Sequence, residues 1–302
     1  MSTPLPFVVY NAFTDQLGGG NPAAILFAPS PSPSSELTPT AEDRQTIARN
    51  FSLPVCAFVT PKDPQARTNA RDAATTRTFG IQYFTVATEY PICGHGTLAA
   101  AHALFADRAR VPEGVRCLRF EAAAGHVLVA RTAAHGGRVE LALQCAVLDE
   151  VRADGEVGSR LRAALARALG PGVGVKYMAR GGGGGGFEKY VLVEVEAADL
   201  GALELDSGFV THVLTAPSSL PEVAFESRMF APAVGVPEDP VCGSAHCLLA
   251  PYWFEKAGLA GRVRAKQASA RGGELGVELD RERGLVLLTG AARKVSEGTV
   301  FV

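Results

Sequence analysis

The chain has 302 residues, of which 47% are hydrophobic and 20% are charged, and its formal net charge at pH 7 is −2. A chain of this length can bury a large core and suggests about two domains. The near-neutral charge, without a basic cluster, gives no reason to expect a nucleic-acid partner, and no apolar run is long enough to predict a membrane span.

The cysteines and the first residues indicate a compartment. Six cysteines are too few for a disulfide framework in a chain this long. Residues 1–9 lack the charged and apolar pattern of a secretion signal. We therefore expect a cytoplasmic protein with reduced thiols.

The first part of the chain predicts short strands and two helices. Apolar alternation predicts strands at residues 7–12, 23–27, 55–59 and 77–85, the last with Phe79, Ile81 and Tyr83 on one apolar face. A helical pattern with Thr40 as its cap covers residues 40–50. A second, strongly apolar helix is predicted at about 97–107.

The rest of the chain continues this mixture. Three strands are predicted within residues 116–143, an amphipathic helix at 158–169, and a strongly apolar helix at about 244–257. Further strands are predicted at residues 189–195, 210–214, 226–230, 261–264, 276–279, 285–289 and 299–302, with a short helix or turn at 198–203. Strands and helices do not alternate strictly, so the pattern predicts an α+β fold and not a doubly wound parallel sheet.

A repeat organises the sequence. The tetrapeptides Pro-Ile-Cys-Gly at 91–94 and Pro-Val-Cys-Gly at 240–243 lie 149 residues apart, and each precedes one of the strongly apolar helices. The same offset pairs Phe105 with Phe254. Because there are two copies at about half the chain length, we expect two pseudo-symmetric lobes.

The repeat also suggests a division into domains. We place the first lobe at residues 1–130, around the helix at 97–107, and the second at 131–302, around the helix at 244–257. The last strand is a candidate to return to the first lobe.

Each repeat places a cysteine, Cys93 or Cys242, directly before a helix. Unpaired backbone N–H groups and the helix dipole favour negative charge there and lower the pKa of a thiol. One thiolate can take a proton from carbon while the opposite thiol returns one on the other face, which is two-base racemisation or epimerisation. Small residues at the helix starts can hold a substrate carboxylate: Gly94, Gly96, Gly243 and Ser244.

Two other roles for cysteine stay open. Packing is the role that we expect for the remaining four: Cys56, Cys117, Cys145 and Cys247. A metal site is the other alternative, with four nitrogen and sulfur donors: Cys93, His95, Cys242 and His246. The spacing of these donors matches no common zinc motif.

Several motifs spread over nearly the whole chain resemble one known family. They are Asn-Ala-Phe-Thr at 11–14, Gly-Asn-Pro-Ala-Ala at 20–24, Ile-Ala-Arg at 47–49, Tyr-Phe-Thr at 83–85, Cys-Gly-His-Gly-Thr at 93–97, Arg-Met-Phe-Ala-Pro at 228–232, Glu-Asp-Pro-Val at 238–241, Gly-Ser-Ala-His-Cys at 243–247 and Gln-Ala-Ser-Ala-Arg-Gly-Gly at 267–273. With them the chain resembles the PhzF-like (phenazine-biosynthesis) isomerases of the diaminopimelate epimerase superfold. The run from Glu-Asp-Pro to Gly-Ser-Ala is the most specific.

The resemblance implies a fold, a site and an assembly. The fold has two similar lobes, each with strands wrapped around a central helix, and the active site lies where both helices begin. Such proteins work without a cofactor and are often homodimers. The resemblance also implies that four residues line the site: His95, Asp239, Gly243 and Ser244.

The chain departs from the family at two positions. Val55 stands where family isomerases carry a catalytic glutamate, and valine cannot carry a proton. Cys242 stands where PhzF-like proteins commonly have threonine, and paired cysteines are typical of the racemase and epimerase branches of the superfold. The sequence therefore predicts a PhzF-like scaffold with a two-cysteine proton-transfer pair.

The first hypothesis is a cofactor-independent isomerase that acts on a small amino-acid-like or hydroxy-acid carboxylate, with Cys93 and Cys242 as its acid/base pair. Its expected binding residues are Asn21, Gly94, His95, Gly96, Asp239, Gly243 and Ser244. One alternative is a double-bond or cis–trans isomerase, or a dehydratase, that uses a single cysteine. Another is a non-catalytic small-molecule binder or dimeric interaction protein, since a fold does not fix a function.

Overall fold

The computed structural model describes residues 4–29, 38–62, 74–133, 137–184, 186–196 and 209–302. The short helix or turn expected at 198–203 lies outside these ranges. The chain forms two compact units, Met1–Ala142 with Thr289–Val302, and Leu143–Leu288.

The described residues of unit 1 include nine strands and two long α-helices. In chain order these are β1 (Pro4–Ala12), β2 (Asn21–Phe27), α1 (Ala41–Phe51), β3 (Val55–Pro61), β4 (Thr76–Phe84), β5 (Glu89–Tyr90), α2 (Gly94–Ala106), β6 (Cys117–Glu121), β7 (Val127–Thr132) and β8 (Val139–Gln144), which runs two residues into the second unit. The last strand of the chain, β18 (Ala292–Phe301), returns to unit 1 and pairs antiparallel with β1.

Unit 2 holds the elements between β8 and β18. They are β9 (Val147–Glu150), α3 (Glu156–Leu169), β10 (Val175–Gly182), β11 (Tyr190–Val195), β12 (Thr211–Pro217), β13 (Phe225–Ala231), β14 (Val236–Asp239), α4 (His246–Lys256), β15 (Val263–Gln267), β16 (Gly273–Asp280) and β17 (Leu285–Gly290). The boundary expected near residue 130 lies after Ala142 instead, because β7 pairs with β6 and β8 with β7.

Strand order repeats from one unit to the other. In unit 1 the order is β18–β1–β2–β3–β4–β6–β7, with parallel pairs at β2–β3 and β4–β6 and antiparallel pairs elsewhere. In unit 2 the order is β9–β10–β11–β12–β13–β15–β16, with parallel pairs at β11–β12 and β13–β15. Each central helix is preceded by a short strand that pairs antiparallel with the strand before it: β5 pairs with β4, and β14 pairs with β13.

The central helices α2 and α4 are apolar on nearly all sides, as expected for helices that sheets surround. Helix α2 was expected from residue 97 but begins at Gly94, whereas α4 was expected from 244 and begins at His246 after a turn at 243–245. Both helices bury most of their residues, including Leu98 and Leu248 at 0% exposure. Full burial of one such leucine stabilises the fold by about 1.5–3 kcal/mol.

The other two helices are amphipathic and bury one side. Helix α1 starts with the predicted cap, in which Thr40 Oγ1 accepts from the Asp43 N–H at 3.1 Å and Asp43 accepts from the Thr40 N–H at 2.8 Å. Its Ile47 packs in a core cluster with Phe58. Helix α3 buries Leu161 against strands of unit 2. In the described ranges, no helix combines the length and apolarity that crossing a bilayer requires.

One glycine is required where β1 turns towards β2. Gly20 has φ +68°, and a Cβ there would lie 2.4 Å from the Ala12 carbonyl oxygen. A side chain would be both strained and in collision. The turn delivers Asn21, which is fully buried, to the first position of β2.

Candidate active site

Cys93 is the residue on which α2 begins. Its backbone is extended, with φ −148° and ψ 109°, and its side chain makes no capping hydrogen bond to the described helix. The Cys93 carbonyl accepts two hydrogen bonds from Thr97, from the backbone N–H at 3.0 Å and from the hydroxyl at 2.7 Å. The N–H groups of Gly94, His95 and Gly96 lie in the first turn of α2, where a helix offers donors to an anion.

The Cys93 thiol has an imidazole as its neighbour. Cys93 Sγ lies 3.4 Å from His95 Nδ1, and the histidine is 7% exposed. Burial lowers the pKa of His95 to about 4, and the nearby Pro22 carbonyl opposes this shift without completing a hydrogen bond to Nε2. The ring is therefore neutral at pH 7, and its Nδ1 can accept from the thiol or donate to a thiolate.

Val55, the residue in the place of the family glutamate, lies beside this thiol. A Cβ added to Gly96 would lie 3.2 Å from Val55 Cγ1 and 3.3 Å from Cys93 Sγ. Gly96 thus allows the β3 side chain and the thiol to approach the same point of the helix. Since Val55 is 1% exposed, the sulfur has an apolar neighbour there instead of a carboxylate.

Tyr83 and Thr97 hold the start of α2 in place by hydrogen bonds. The Tyr83 hydroxyl lies 2.5 Å from Thr97 Oγ1, and Tyr83 is fully buried. Tyr83 lies on the predicted buried face of β4 with Phe79 and Ile81. Burial raises the pKa of Tyr83 well above its usual range, so its hydroxyl keeps its proton.

Cys242 occupies the corresponding position in unit 2. It is 4% exposed, and its backbone N–H donates to Gln267 Oε1 at 2.8 Å. The same glutamine donates from Nε2 to the Asp239 carbonyl at 2.5 Å. Ser269 adds a hydrogen bond to the Pro240 carbonyl at 2.6 Å. The segment that carries both Asp239 and Cys242 is therefore anchored by β15 and the residues after it.

The Cys242 thiol contacts one hydroxyl and one carboxyl. Its Sγ lies 3.2 Å from Ser244 Oγ, and Ser244 Oγ lies 2.9 Å from the Tyr190 hydroxyl. Asp239 Oδ1 accepts from the Val241 N–H at 3.0 Å. Desolvation raises the pKa of Asp239 to about 7, and Glu238 adds to this, while hydrogen bonds from Val241 and the Cys242 thiol oppose it.

His246 holds the carbonyl of Cys242 as Thr97 holds that of Cys93. Its Nδ1 lies 2.8 Å from the Cys242 carbonyl oxygen, and its side chain is fully buried. Burial lowers the pKa of His246 to about 4, partly opposed by this hydrogen bond, so the ring is neutral and Nδ1–H is the donor. His246 therefore positions the backbone of the segment that leads into α4.

The two half-sites correspond position by position. In each, the side chain two residues after the cysteine contacts the sulfur, and the side chain four residues after it donates to the cysteine carbonyl. The offset of 149 pairs His95 with Ser244 and Thr97 with His246. Within each unit, most of the residues expected to form the site lie together: Cys93, Gly94, His95 and Gly96 in unit 1, and Asp239, Cys242, Gly243 and Ser244 in unit 2. Asn21 lies at the first position of β2, next to Pro22, whose carbonyl lies near His95.

Sequence reasoning missed several side chains of these half-sites. Tyr190 has no local signal, since it is a strand residue distant in sequence from Ser244. The roles of Thr97 and Gln267 were also missed, although both lie in motifs quoted for the family. The role of Thr97 could have been predicted, because the 149-residue offset of the repeat pairs it with His246.

Two of the other four cysteines, Cys56 and Cys247, are deeply buried free thiols. All six cysteines lie in the described ranges, and none forms a disulfide. Burial raises the pKa of Cys56 to about 12, and that of Cys247 further. Among the residues that the structure describes, no three His, Cys, Asp or Glu side chains form a group that could hold a metal ion.

Comparisons with known proteins place the chain in a family. Residues 10–298 match the PhzC-PhzF family, described as phenazine biosynthesis-like protein. The phenazine biosynthesis-like domain-containing protein 2 of Mus musculus is 34% identical, over 98% of this chain and 99% of its own length. An uncharacterized isomerase of Pseudomonas aeruginosa is also 34% identical, over 98% of each chain.

Solved structures show the same fold. A PhzF-family phenazine biosynthesis protein of Enterococcus faecalis matches with a TM-score of 0.75 and 25% identity, over 100% of both chains. A hydroxyproline epimerase of Agrobacterium vitis matches with a TM-score of 0.54 and 11% identity, over 99% of this chain and 91% of its own. The expected α+β fold of the diaminopimelate epimerase type is thereby confirmed.

The family match and a relative that is named as an isomerase define an enzyme of the isomerase class. The chain belongs to the PhzC-PhzF, phenazine biosynthesis-like family, and it is an isomerase.

Proposed function

We propose that the protein is a cofactor-independent isomerase that moves a proton at the carbon next to a carboxylate, with Cys93 and Cys242 as its acid/base pair. The observation that carries the proposal is the correspondence of the two half-sites. Each has a thiol before a central helix and a polar side chain in contact with the sulfur. In each, a second side chain donates a hydrogen bond to the cysteine carbonyl. Packing alone gives no reason for this arrangement to occur twice.

The chemistry balances without a co-reactant. One cysteine, as thiolate, takes the proton from the substrate carbon, and the electron pair of the C–H bond is delocalised into the carboxylate. The other cysteine, as thiol, donates its proton to the opposite face of the same carbon. The substrate leaves with inverted configuration, and the two sulfurs have exchanged protonation states, which solvent or the reverse reaction restores.

A small carboxylic acid suits the groups at the helix starts. The N–H groups of Gly94, in the first turn of α2, and of Gly243 and Ser244, in the turn before α4, provide donors for a carboxylate, with a favourable dipole at each helix start. His95, Asp239 and Ser244 would orient the amino or hydroxyl group of the substrate, with Asn21 beside them. The substrate class we propose is an amino-acid-like or hydroxy acid.

The test is exchange of the substrate C–H hydrogen with deuterated water over a panel of amino acids and hydroxy acids. We expect at least one acid to exchange with the native protein, and Cys93→Ser and Cys242→Ser each to reduce that rate by at least about 100-fold, a loss typical of one acid/base group. Cys117→Ser, at a partly exposed cysteine outside both half-sites, serves as the control and should keep the rate. Full exchange in both serine variants would end the proposal.

The unequal surroundings of the two thiols favour one alternative. Cys93 contacts an imidazole, whereas Cys242 contacts a hydroxyl and a carboxyl whose pKa is raised. A double-bond or cis–trans isomerase, or a dehydratase, needs one base and one acid of different strength, and that asymmetry would serve it. A product with a moved double bond, together with activity that survives one cysteine variant but not the other, would favour this alternative.

A further inference from the structure

Tyr190 is the outermost member of a hydroxyl chain that ends on the Cys242 sulfur. Its hydroxyl lies 2.9 Å from Ser244 Oγ, which lies 3.2 Å from Cys242 Sγ. The tyrosine is the first residue of β11 and its ring meets Phe187 edge to face at a centroid distance of 5.7 Å. The phenol is therefore held by packing on one side and by Ser244 on the other.

The protonation of Tyr190 sets the direction of the hydrogen bonds that run from Tyr190 through Ser244 to Cys242. Burial raises the pKa of Tyr190 above its usual range, with further contributions from Cys242, Cys247 and Asp239, while the bond to Ser244 lowers it in part. The phenol therefore keeps its proton at any pH at which the protein works. A hydroxyl has a single hydrogen to give, so Ser244 can donate either to Tyr190 or to Cys242.

The ionised sulfur removes that choice. A thiolate can only accept hydrogen bonds, so Ser244 satisfies it by donating to Sγ. Tyr190 then donates to Ser244 Oγ, and all three groups are satisfied in one direction. Without the phenol hydrogen, Ser244 Oγ loses its own donor, and its hydrogen bond to the thiolate is weaker.

We propose that Tyr190 is a positioning residue that acts through Ser244 to stabilise the thiolate of Cys242. The inference deepens the proposed function and rests on it for its catalytic meaning, since it identifies how one of the two thiols becomes a base. Nothing in the family motifs points to this tyrosine.

The charged surroundings of Cys242 explain why such donors are needed. Asp239 contacts the same thiol, and its carboxylate disfavours a second negative charge beside it. Glu238 adds negative charge near Asp239. His246 is neutral because burial lowers its pKa to about 4, and it is occupied by the Cys242 carbonyl. Arg228 offsets part of the charge of Glu238 through an ion pair at 2.6 Å, and the hydroxyl chain offsets the Asp239 carboxyl at the thiol itself.

The test is a titration of the Cys242 thiolate by its ultraviolet absorbance, taken as the difference between each protein and its Cys242→Ser counterpart. The subtraction removes the absorbance of the tyrosines and of the other cysteines. We expect Tyr190→Phe to raise the pKa of Cys242 by about one unit, which is the size of one hydrogen bond to a charged group. Tyr177→Phe, at a tyrosine that stacks on Tyr252, should leave it unchanged.

Two further variants separate positioning from a merely structural role. Ser244→Ala should raise the pKa of Cys242 at least as much as Tyr190→Phe does. In the Ser244→Ala background, Tyr190→Phe should add nothing, because its route to the sulfur is gone. The matching difference titration of Cys93, in the other unit, should stay unchanged and so report that the fold is intact.

Three results would overturn the inference: a Cys242 titration unaffected by Tyr190→Phe, one unaffected by Ser244→Ala, or an equal Tyr190→Phe shift with and without Ser244. The titration needs no substrate. A protein that shifts as expected but exchanges no substrate hydrogen would therefore end the proposed function and leave the role of Tyr190 standing.

Discussion

The side-chain carbonyl of Gln267 accepts a hydrogen bond from the backbone N–H of Cys242 at 2.8 Å. The amide of the same fully buried side chain donates to the carbonyl of Asp239 at 2.5 Å. One side chain from β15 thus sets the separation between the candidate acid/base thiol and the carboxyl beside it. The strand that supplies it pairs in parallel with β13, so the sheet of unit 2 determines the geometry of the half-site.

Replacing Gln267 should therefore lower the stability of the protein. Gln267→Met keeps the approximate shape but leaves a buried N–H and a buried carbonyl without partners. We expect the free energy of unfolding to fall by about 2–3 kcal/mol, the cost of unsatisfied buried groups. Urea denaturation measures this, with Gln144→Met, at an exposed position of β8, as the control. A variant as stable as its parent would show that the two hydrogen bonds of Gln267 do not contribute to stability.

His246 should make the protein sensitive to acid. Its folded pKa of about 4 lies below the ordinary value of 6.5, so the unfolded chain binds more protons between those pH values. The free energy of unfolding should then fall as the pH drops from 6.5 towards 4, by at most about 3 kcal/mol for this residue. His246→Gln should flatten that part of the curve.

Thr97 is the matched control for this prediction, since it makes the same carbonyl contact in unit 1 without a titrating group. Thr97→Val should lower the free energy of unfolding by an amount that does not change with pH. Denaturation at several pH values between 4 and 7 distinguishes the two patterns. An unchanged slope in His246→Gln would contradict the account of a buried neutral imidazole.

Val55→Glu should reduce the reactivity of Cys93. The new carboxylate would stand beside the sulfur in an apolar environment, where it disfavours a thiolate and is itself poorly solvated. We expect slower alkylation of Cys93 at pH 8 and a loss of stability of about 2 kcal/mol or more that shrinks at pH 5, where the carboxyl is protonated. Val55→Gln has a similar shape without the charge and should change alkylation little. Equal effects of both substitutions would assign the change to shape alone.

The sequence predicted those parts of the site that depend on local pattern. The repeated Pro-x-Cys-Gly placed Cys93 and Cys242 at the starts of apolar helices, and both helices lie within three residues of the expected starts. A cysteine before a helix is a local feature, and its physics is that of the helix terminus. The alternation that predicted the buried face of β4 is local in the same way.

The parts that could not be predicted depend on which strands become neighbours. Tyr190 reaches Ser244 because β11 lies next to β12 and β12 next to β13, the strand before the short β14. Gln267 reaches Cys242 through the parallel pairing of β13 with β15. Neither contact has a sequence spacing that signals it. The protonation of His95 and Asp239 was equally hidden, since burial sets it and burial is a property of the whole fold.

The fate of the hydrogen during turnover tests the two-cysteine account most directly. One enantiomer of the fastest-exchanging acid is incubated with the native protein in deuterated water, and the reaction is stopped early. The account predicts that the product carries deuterium at the reacting carbon while the recovered substrate carries none, because one thiol removes hydrogen and the other supplies it. Product that retains the original hydrogen, or recovered substrate labelled as fast as product, would show that a single base works on both faces and would contradict the account.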